Sequence, residues 1–153
     1  MQALLGEGLS LRANLGWLDT EYDNFQYTDA VSSETVDLSY LEFRRAPDIT
    51  ATVDATYEWE TSYGRAWVRG AVHYLGEHWV NVTNSPELEN DAQNLIDASV
   101  NFEVNNWRFA LFGRNLSDED GYTHGYDVAG LWSYAAVRAP RTFGVEAIYE
   151  FGD

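Results

Sequence analysis

Three histidines are the side chains best suited to acid–base or metal chemistry in this sequence, and they lie far apart in the chain. His73, His78 and His124 fall in different segments, without the short spacings that metal ligands show. No nucleophile stands beside a base in a recognisable motif. The simpler interpretation is that these histidines are solvated polar side chains. The sequence therefore predicts no enzyme, no catalytic residue, no bound metal and no cofactor.

The run Asp118, Glu119, Asp120 places three carboxylates in a row and offers the hard oxygen ligands that calcium prefers. A solvated acidic loop is the simpler interpretation, because the whole chain is acidic. It carries 25 Asp and Glu against 9 Lys and Arg, a formal net charge of −16. Binding to phosphate backbones requires basic side chains, so we expect no nucleic acid among the partners.

Six segments alternate apolar and polar residues with a period of two, which is typical of β-strands with two chemically different faces. In the second segment, Val53 and Tyr57 belong to an apolar face, and Asp54 and Glu58 to a polar face. No charged residue falls on the apolar face of any segment. The sequence predicts strands over residues 9–18, 49–59, 66–74, 95–104, 107–114 and 143–151.

The connections between the predicted strands alternate in length. Residues 61–64 and 105–106 form short links, whereas residues 19–48, 76–94 and 115–140 form long ones. An up-and-down sheet has this pattern when one end faces the cell exterior and the other faces the periplasm. The strand lengths also suit a tilted strand that crosses a bilayer, which needs roughly 9–11 residues.

The direction of the apolar face separates a membrane barrel from a soluble one. A soluble barrel turns it inward, whereas an outer-membrane barrel turns it toward lipid and keeps a polar lumen. Aromatic residues collect near both ends of the predicted strands, as two interfacial girdles would require. The sequence therefore predicts an all-β fold: a fragment of an antiparallel, up-and-down transmembrane β-barrel, with about six strands, long outer loops and short periplasmic turns.

Four stretches resemble the C-terminal β-barrel portion of TonB-dependent outer-membrane receptors. "GRNLSDEDGY" (residues 113–122) is similar to a stretch late in those receptors, and "APRTFGVEAIYEF" (residues 139–151) to their closing strand. "GWLDTEYDNF" (residues 16–25) and "LEFRRAPDITATVDATYEW" (residues 41–59) resemble the strand and the Ala-Pro approach that precede the last hairpins. The four stretches keep the order of the family and span nearly the whole chain.

The resemblance implies an outer-membrane protein of a Gram-negative bacterium that takes up a siderophore, an iron chelate or a similar nutrient, energised through TonB. It implies four partners: outer-membrane lipid, the barrel-insertion machinery, a small-molecule nutrient such as an iron chelate, and the TonB complex acting through an N-terminal part. The plug domain and the earlier strands of the family have no counterpart in residues 1–153. We therefore expect this chain to be the C-terminal part of such a barrel.

The resemblance also implies where substrate contacts would lie, namely in the outer loops and the upper lumen wall. Aromatic rings and guanidinium groups are good recognition groups. The candidates are Tyr27, Tyr40, Arg44, Arg45, Trp79, His124, Tyr126, Trp132 and Arg138.

The last predicted strand ends on an aromatic residue after an alternating apolar run, like the membrane-insertion signal of outer-membrane proteins. The residues of this signal would be Phe143, Val145, Ala147, Tyr149 and Phe151. Two alternatives remain for the chain as a whole. One is a small complete outer-membrane β-barrel with a structural or adhesive role. The other is a soluble β-barrel that binds a lipophile.

Overall fold

A computed structural model describes residues 2–4, 6–28, 32–128 and 131–151 of the 153-residue chain. These residues form thirteen strands and one short 3-10 helix, Pro86–Leu88. The strands are β1 (Gln2–Leu4), β2 (Leu9–Trp17), β3 (Gln26–Thr28), β4 (Thr35–Asp37), β5 (Ile49–Glu60), β6 (Arg65–Leu75), β7 (His78–Trp79), β8 (Glu89–Asn90), β9 (Gln93–Val104), β10 (Trp107–Arg114), β11 (Tyr122–Val128), β12 (Trp132–Val137) and β13 (Thr142–Tyr149).

Seven of these strands form one antiparallel sheet in the order β1-β2-β5-β6-β9-β10-β13. The six long strands are the six that the period-two pattern predicts, and each observed boundary lies within two residues of the predicted one. The all-β, up-and-down prediction is therefore confirmed. Strand β1 was not predicted, because three residues are too few to show a period. It pairs with β2 at one edge of the sheet.

The register of the sheet places apolar residues opposite one another from strand to strand. One transverse row runs from Tyr57 to Val68, Val100, Leu111 and Val145, each residue paired directly with the next. Directly paired residues point to the same face of a sheet. The apolar stripes of neighbouring strands therefore merge into one continuous apolar face.

This apolar face is the more exposed side of the sheet. Val100 and Leu111 are 54% and 57% exposed, whereas Ser99 and Asn101, on the polar face, are half-buried. A soluble domain would show the opposite order, because burial of apolar surface is its main source of stability. Among the described residues, the buried hydrophobic side chains are Ala66, Ala71, Val80 and Leu88. The sheet itself therefore encloses no large apolar core.

The two short turns hold the strands in register by local polar contacts. In the first, the Oγ1 hydroxyl of Thr61 donates to the carbonyl of Gly64 (2.7 Å) and accepts from its N–H (3.1 Å). In the second, Asn105 takes a φ of 50° between β9 and β10. Asparagine tolerates this left-handed conformation better than most residues, which suits it to a two-residue turn.

The three long connections contain secondary structure of their own. Loop 1 (residues 18–48) contains the β3–β4 hairpin, loop 2 (residues 76–92) the β7–β8 pair, and loop 3 (residues 115–141) the β11–β12 hairpin. The sequence predicts the loops but not these short strands. Their alternation is weak, and contacts between the loops stabilise them.

Candidate functional site

A hollow of about 510 Å³, open to solvent, lies on the polar face of the main sheet, which is concave there. Residues from β6, β9, β10 and β13 line it, including His73, Asp97, Asn101, Arg114 and Glu146. These side chains carry charges of both signs on a surface that lies away from the exposed apolar face. The lining of this hollow, which we call the polar wall, is therefore made of polar and charged side chains that can be hydrated.

Some side chains on the polar face form hydrogen-bonded pairs between neighbouring strands. Arg69 forms an ion pair with Asp54 on the neighbouring strand, and its Nε donates to Asp54 Oδ2 at 2.6 Å. His73 Nδ1 lies 3.2 Å from the hydroxyl of Thr52. His73 therefore lies on the polar face of the sheet. Both pairs link neighbouring strands, since Asp54 and Thr52 lie on β5 and Arg69 and His73 on β6.

A chain of alternating charges crosses the polar face near the short turns. Arg65 lies 3.5 Å from Glu58 and 3.1 Å from Glu103. Arg108 lies 3.7 Å from Glu103 and 3.5 Å from Glu150. This ion-pair chain joins strands β5, β6, β9 and β10 to the residue that follows β13. The five side chains are 32% to 71% exposed, so each pair contributes little to stability.

Loops 2 and 3 are tied together by buried polar side chains. The side-chain amide of Asn90 donates to the carbonyl of Tyr122 and accepts from its N–H, both at 2.8 Å. The amide nitrogen of Asn90 also lies 3.2 Å from Nε2 of His78, whose Nδ1 lies 2.9 Å from the carbonyl of Gly76. Since a carbonyl can only accept, Nδ1 of His78 is the donor and Nε2 accepts from Asn90.

His78 is therefore a structural residue. It is only 7% exposed, so the interpretation of this histidine as a solvated side chain is wrong. The physical reason is that the pairing of β7 with β8 sets His78 opposite Asn90, where both nitrogens of its ring have hydrogen-bond partners. A lone histidine in a polar segment carries no sign of such burial in the sequence.

Loops 1 and 2 are also joined by hydrogen bonds. The N–H of Glu42 donates to the side chain of Asn84 at 2.8 Å, and the N–H of Arg45 donates to the carbonyl of Trp79 at 2.7 Å. The three loops thus form one connected cap at the end of the sheet opposite the short turns. This loop cap holds 16 of the 25 acidic residues and four of the nine arginines, a net charge of −12 out of −16.

Three of the predicted recognition residues come together on the β11–β12 hairpin. Trp132 stacks on Tyr134 with ring centroids 6.0 Å apart, Tyr126 lies 6.4 Å from Tyr134, and His124 meets the edge of Tyr134 at 5.9 Å. Tyr134 is the centre of this group, although it is not among the sequence candidates. A signal was present, since Tyr134 follows Trp132 by two residues in a strand-like stretch.

We name these four residues the aromatic platform. The rings of Tyr126, Trp132 and Tyr134 are 57%, 57% and 48% exposed. The opposite side of the hairpin is the anchored one. There Gly125 lies against Leu88, and Asp127 accepts from Ser85.

The other sequence candidates are dispersed over the loop cap. Tyr27 lies on β3 and Tyr40 in a turn of loop 1, where both are exposed. Arg44 and Arg45 are exposed in loop 1, and Trp79 is half-buried on β7. Arg138 donates to the side chain of Gln93 at 2.7 Å. The structure does not bring these six into one cluster with the platform.

Gln93 is another residue that sequence reasoning missed. It is 3% exposed, and its side chain accepts from Arg138 and donates to the carbonyl of Asp120. It therefore fixes both ends of loop 3 to the start of β9. The acidic run of that loop is engaged as well. Asp118 pairs with Arg141 at 3.0 Å, and Glu119 accepts from the N–H of Asn94 at 3.1 Å.

One carboxyl group of the loop cap is held in its ionised form by a local turn. Asp37 Oδ1 accepts from the hydroxyl of Ser39 at 2.6 Å and from its N–H at 2.9 Å. These hydrogen bonds favour the carboxylate and lower the pKa of Asp37 below its ordinary value of 3.8.

The residues of the predicted insertion signal lie on or just beyond β13. Phe143, Val145, Ala147 and Tyr149 are exposed on the apolar face of this edge strand, and Phe151 follows it, 92% exposed. Tyr149 contacts Phe151 edge-on at 4.7 Å and Trp107 at 4.9 Å. An aromatic group therefore borders the apolar face near the short turns.

No group of three or more His, Cys, Asp or Glu side chains in residues 2–4, 6–28, 32–128 and 131–151 could hold a metal ion. Within the same ranges, no helix is long and apolar enough to cross a membrane.

Comparison with solved structures places this fold. The ferric yersiniabactin uptake receptor FyuA from Yersinia pestis matches 99% of this chain with a TM-score of 0.74 at 20% identity. The siderophore receptor PiuA from Acinetobacter baumannii matches 95% of it with a TM-score of 0.73 at 22% identity. The matches cover 22% and 20% of those receptors, so this chain spans about a fifth of their length.

No protein-family model matches the sequence. Identities of 20% and 22% show the fold alone. At that level the resemblance to the barrels of TonB-dependent receptors, predicted from the sequence, is confirmed. The seven-stranded sheet and its loop cap have the fold of a section of a siderophore-receptor β-barrel.

Proposed function

We propose that residues 1–153 form the C-terminal part of the barrel of a TonB-dependent outer-membrane receptor that takes up a siderophore or another iron chelate. The observation that carries this proposal is the reversed burial of the sheet. Its apolar face is exposed, and its charged face lines a concave hollow. A lipid-facing exterior around a polar lumen has this arrangement.

The fold comparison supports the class of function. Both similar structures are, by their names, uptake or siderophore receptors. In this proposal the apolar face contacts outer-membrane lipid, and the insertion machinery recognises the β13 residues from Phe143 to Phe151. The TonB complex acts through an N-terminal part of the receptor. The loop cap, with its aromatic platform, makes the first contact with the iron chelate.

The two alternatives fit the structure less well. A small complete barrel and a soluble lipophile-binding barrel both require a closed sheet. The sheet of the described residues ends at β1 and β13, which do not pair with each other. A soluble barrel would also direct residues such as Val100 and Leu111 inward, whereas they are exposed.

An uptake assay in the source bacterium tests the proposal. Deletion of the gene that encodes this chain should abolish uptake of radiolabelled iron from at least one chelate in a panel, under iron limitation. Deletion of TonB should have the same effect on that chelate, and the protein should fractionate with the outer membrane. Unchanged uptake across the panel, or recovery of the protein in the soluble fraction, would contradict the proposal.

A further inference from the structure

The rings of the aromatic platform contact one another, and about half of the surface of Tyr126, Trp132 and Tyr134 remains exposed. Residues Tyr126, Trp132 and Tyr134 lie on one side of β11–β12, because Tyr126 pairs directly with Tyr134 and Trp132 is two residues away. The other side of the hairpin holds it in place through Gly125 and Leu88. Large exposed aromatic groups of this kind mark binding surfaces.

The charges around the aromatic platform favour a ligand with positive charge. The faces of aromatic rings carry partial negative charge and attract organic cations within about 6 Å of the ring centre. Loop 3, which carries the platform, and loop 2, which anchors it, together hold eight Asp and Glu and two Arg, a net charge of −6. A surface with one sign of charge raises the local concentration of ligands of the opposite sign. The ring faces and the negative charge of the loops therefore both favour an organic cation.

We propose that the platform binds a protonated amine, and that the chelate this protein takes up is therefore cationic. The inference rests on the proposed uptake function and names the charge class of its substrate. The ammonium group lies over the faces of Tyr134 and its neighbours, while the acidic loops attract the complex from solution. A chelate with net negative charge meets the same field as a repulsion.

Three probes that share one ferric trihydroxamate core and differ in the charge of the terminal group test this inference. The first is a linear ferric trihydroxamate that ends in a primary amine, with one net positive charge. The second is its N-acetyl derivative, which is neutral, and the third its N-succinyl derivative, which is negative. Binding to the purified protein in non-ionic detergent is followed by quenching of tryptophan fluorescence. Acetylation should weaken binding about two- to five-fold, and succinylation should weaken it further.

Variants at the centre of the platform separate a ring-face contact from a general charge effect. Tyr134→Phe keeps the ring face and should keep the preference for the amine. Tyr134→Leu removes the ring. The preference for the amine should then fall to the part that the acidic loops cause by attraction, and the affinity for the neutral probe should change little. Tyr63→Leu is the control, because Tyr63 is an exposed tyrosine in the short turn at the opposite end of the sheet. It should leave all three affinities unchanged.

The outcomes distinguish this inference from the function on which it rests. Equal affinity for the three probes, or a preference for the negative one, overturns the charge assignment and leaves the uptake function intact. Binding of none of the probes or of other chelates counts against both. A preference for the amine that Tyr134→Leu does not diminish overturns the role of the platform. Fluorescence and circular dichroism of each variant verify that the barrel is folded.

Discussion

The side chain of Asn90 forms two hydrogen bonds, each of 2.8 Å, with the backbone of Tyr122. Asn90 lies in loop 2 and Tyr122 begins the hairpin of loop 3, so this pair couples the two loops across 32 residues. Asn90 is 2% exposed, which keeps the bonds away from competing water. The hairpin that carries the aromatic platform is therefore positioned by a side chain from another loop.

Substitution Asn90→Ala should release the hairpin of loop 3. It removes both bonds to Tyr122 and the donor to His78, and unsatisfied buried groups cost about 1–3 kcal/mol each. We expect faster amide exchange at Tyr122 and faster proteolysis within loop 3, with the main sheet unchanged. Asn14→Ala, at an exposed position of β2, is the control. Equal exchange rates in Asn90→Ala and the parent protein would contradict the prediction.

Single spin labels should report opposite environments at Val100 and Ser99. The chain has no cysteine, so each substitution to Cys introduces one labelling site. In lipid bilayers, a label at Val100 should be accessible to dissolved oxygen and protected from a water-soluble nickel chelate. A label at Ser99 should show the reverse. The same accessibility at both positions would show that the apolar face does not contact lipid.

Glu103→Gln should weaken the ion-pair chain at its centre, because Glu103 contacts both Arg65 and Arg108. The loss of unfolding free energy should be at most about 1 kcal/mol, since the partners are partly exposed. It should shrink at high salt, which screens exposed charges. Glu150→Gln, at the end of the ion-pair chain, should have a smaller effect. Urea unfolding in lipid vesicles at two salt concentrations measures both, and a larger effect at high salt would exclude this role.

Gly125→Ala should disturb the contact between loops 2 and 3. A Cβ at this position would lie 2.6 Å from Cδ2 of Leu88, whose side chain is 2% exposed and has little room to move. Such overpacking costs typically about 1–3 kcal/mol. Addition of Leu88→Ala should relieve part of this cost, which a double-mutant cycle on thermal unfolding would detect. Gly70→Ala, with no neighbouring atom within 4 Å of the new Cβ, should be tolerated.

The turn formed by Asp37 and Ser39 should lose its stabilising hydrogen bonds only at a pH low enough to protonate the Asp37 carboxylate. The hydrogen bonds from Ser39 lower the pKa of Asp37 below 3.8, so they stabilise the turn at any pH above its unfolded pKa. That contribution should disappear as the pH falls through the lowered, folded-state pKa. A carbon-detected NMR titration of the Asp37 carboxyl would show this. Ser39→Ala should move the midpoint upward, and an unmoved midpoint would contradict the role of Ser39.

The main sheet could be predicted because its alternation is long and repeated. A strict period of two over eight or more residues decides which side chains share a face, because a shift of one residue would move all of them to the other face. The pairing of Val100 with Leu111 follows from that pattern and from the two-residue turn at Asn105. The loops offered no such repetition, so the β3–β4, β7–β8 and β11–β12 strands were not predicted.

The candidate site was predicted in part. Aromatic residues in long loops pointed to His124, Tyr126 and Trp132, and these three do lie together. Their common neighbour Tyr134 was missed, because the hairpin register that places it between them involves residues on both sides of a turn. The burial of His78, Asn90 and Gln93 was also missed, because it too depends on other parts of the chain. Each is buried by a segment that is distant in the sequence.

The amino-acid sequence alone determined the strands, their two faces and the alternation of long and short connections, because these depend on neighbours within about ten residues. It also determined the acidity of the loops. How the three loops join, and where the β11–β12 hairpin lies over them, became visible only in the folded chain. Those features arise from hydrogen bonds such as that between Asn90 and Tyr122, whose partners no local pattern can identify.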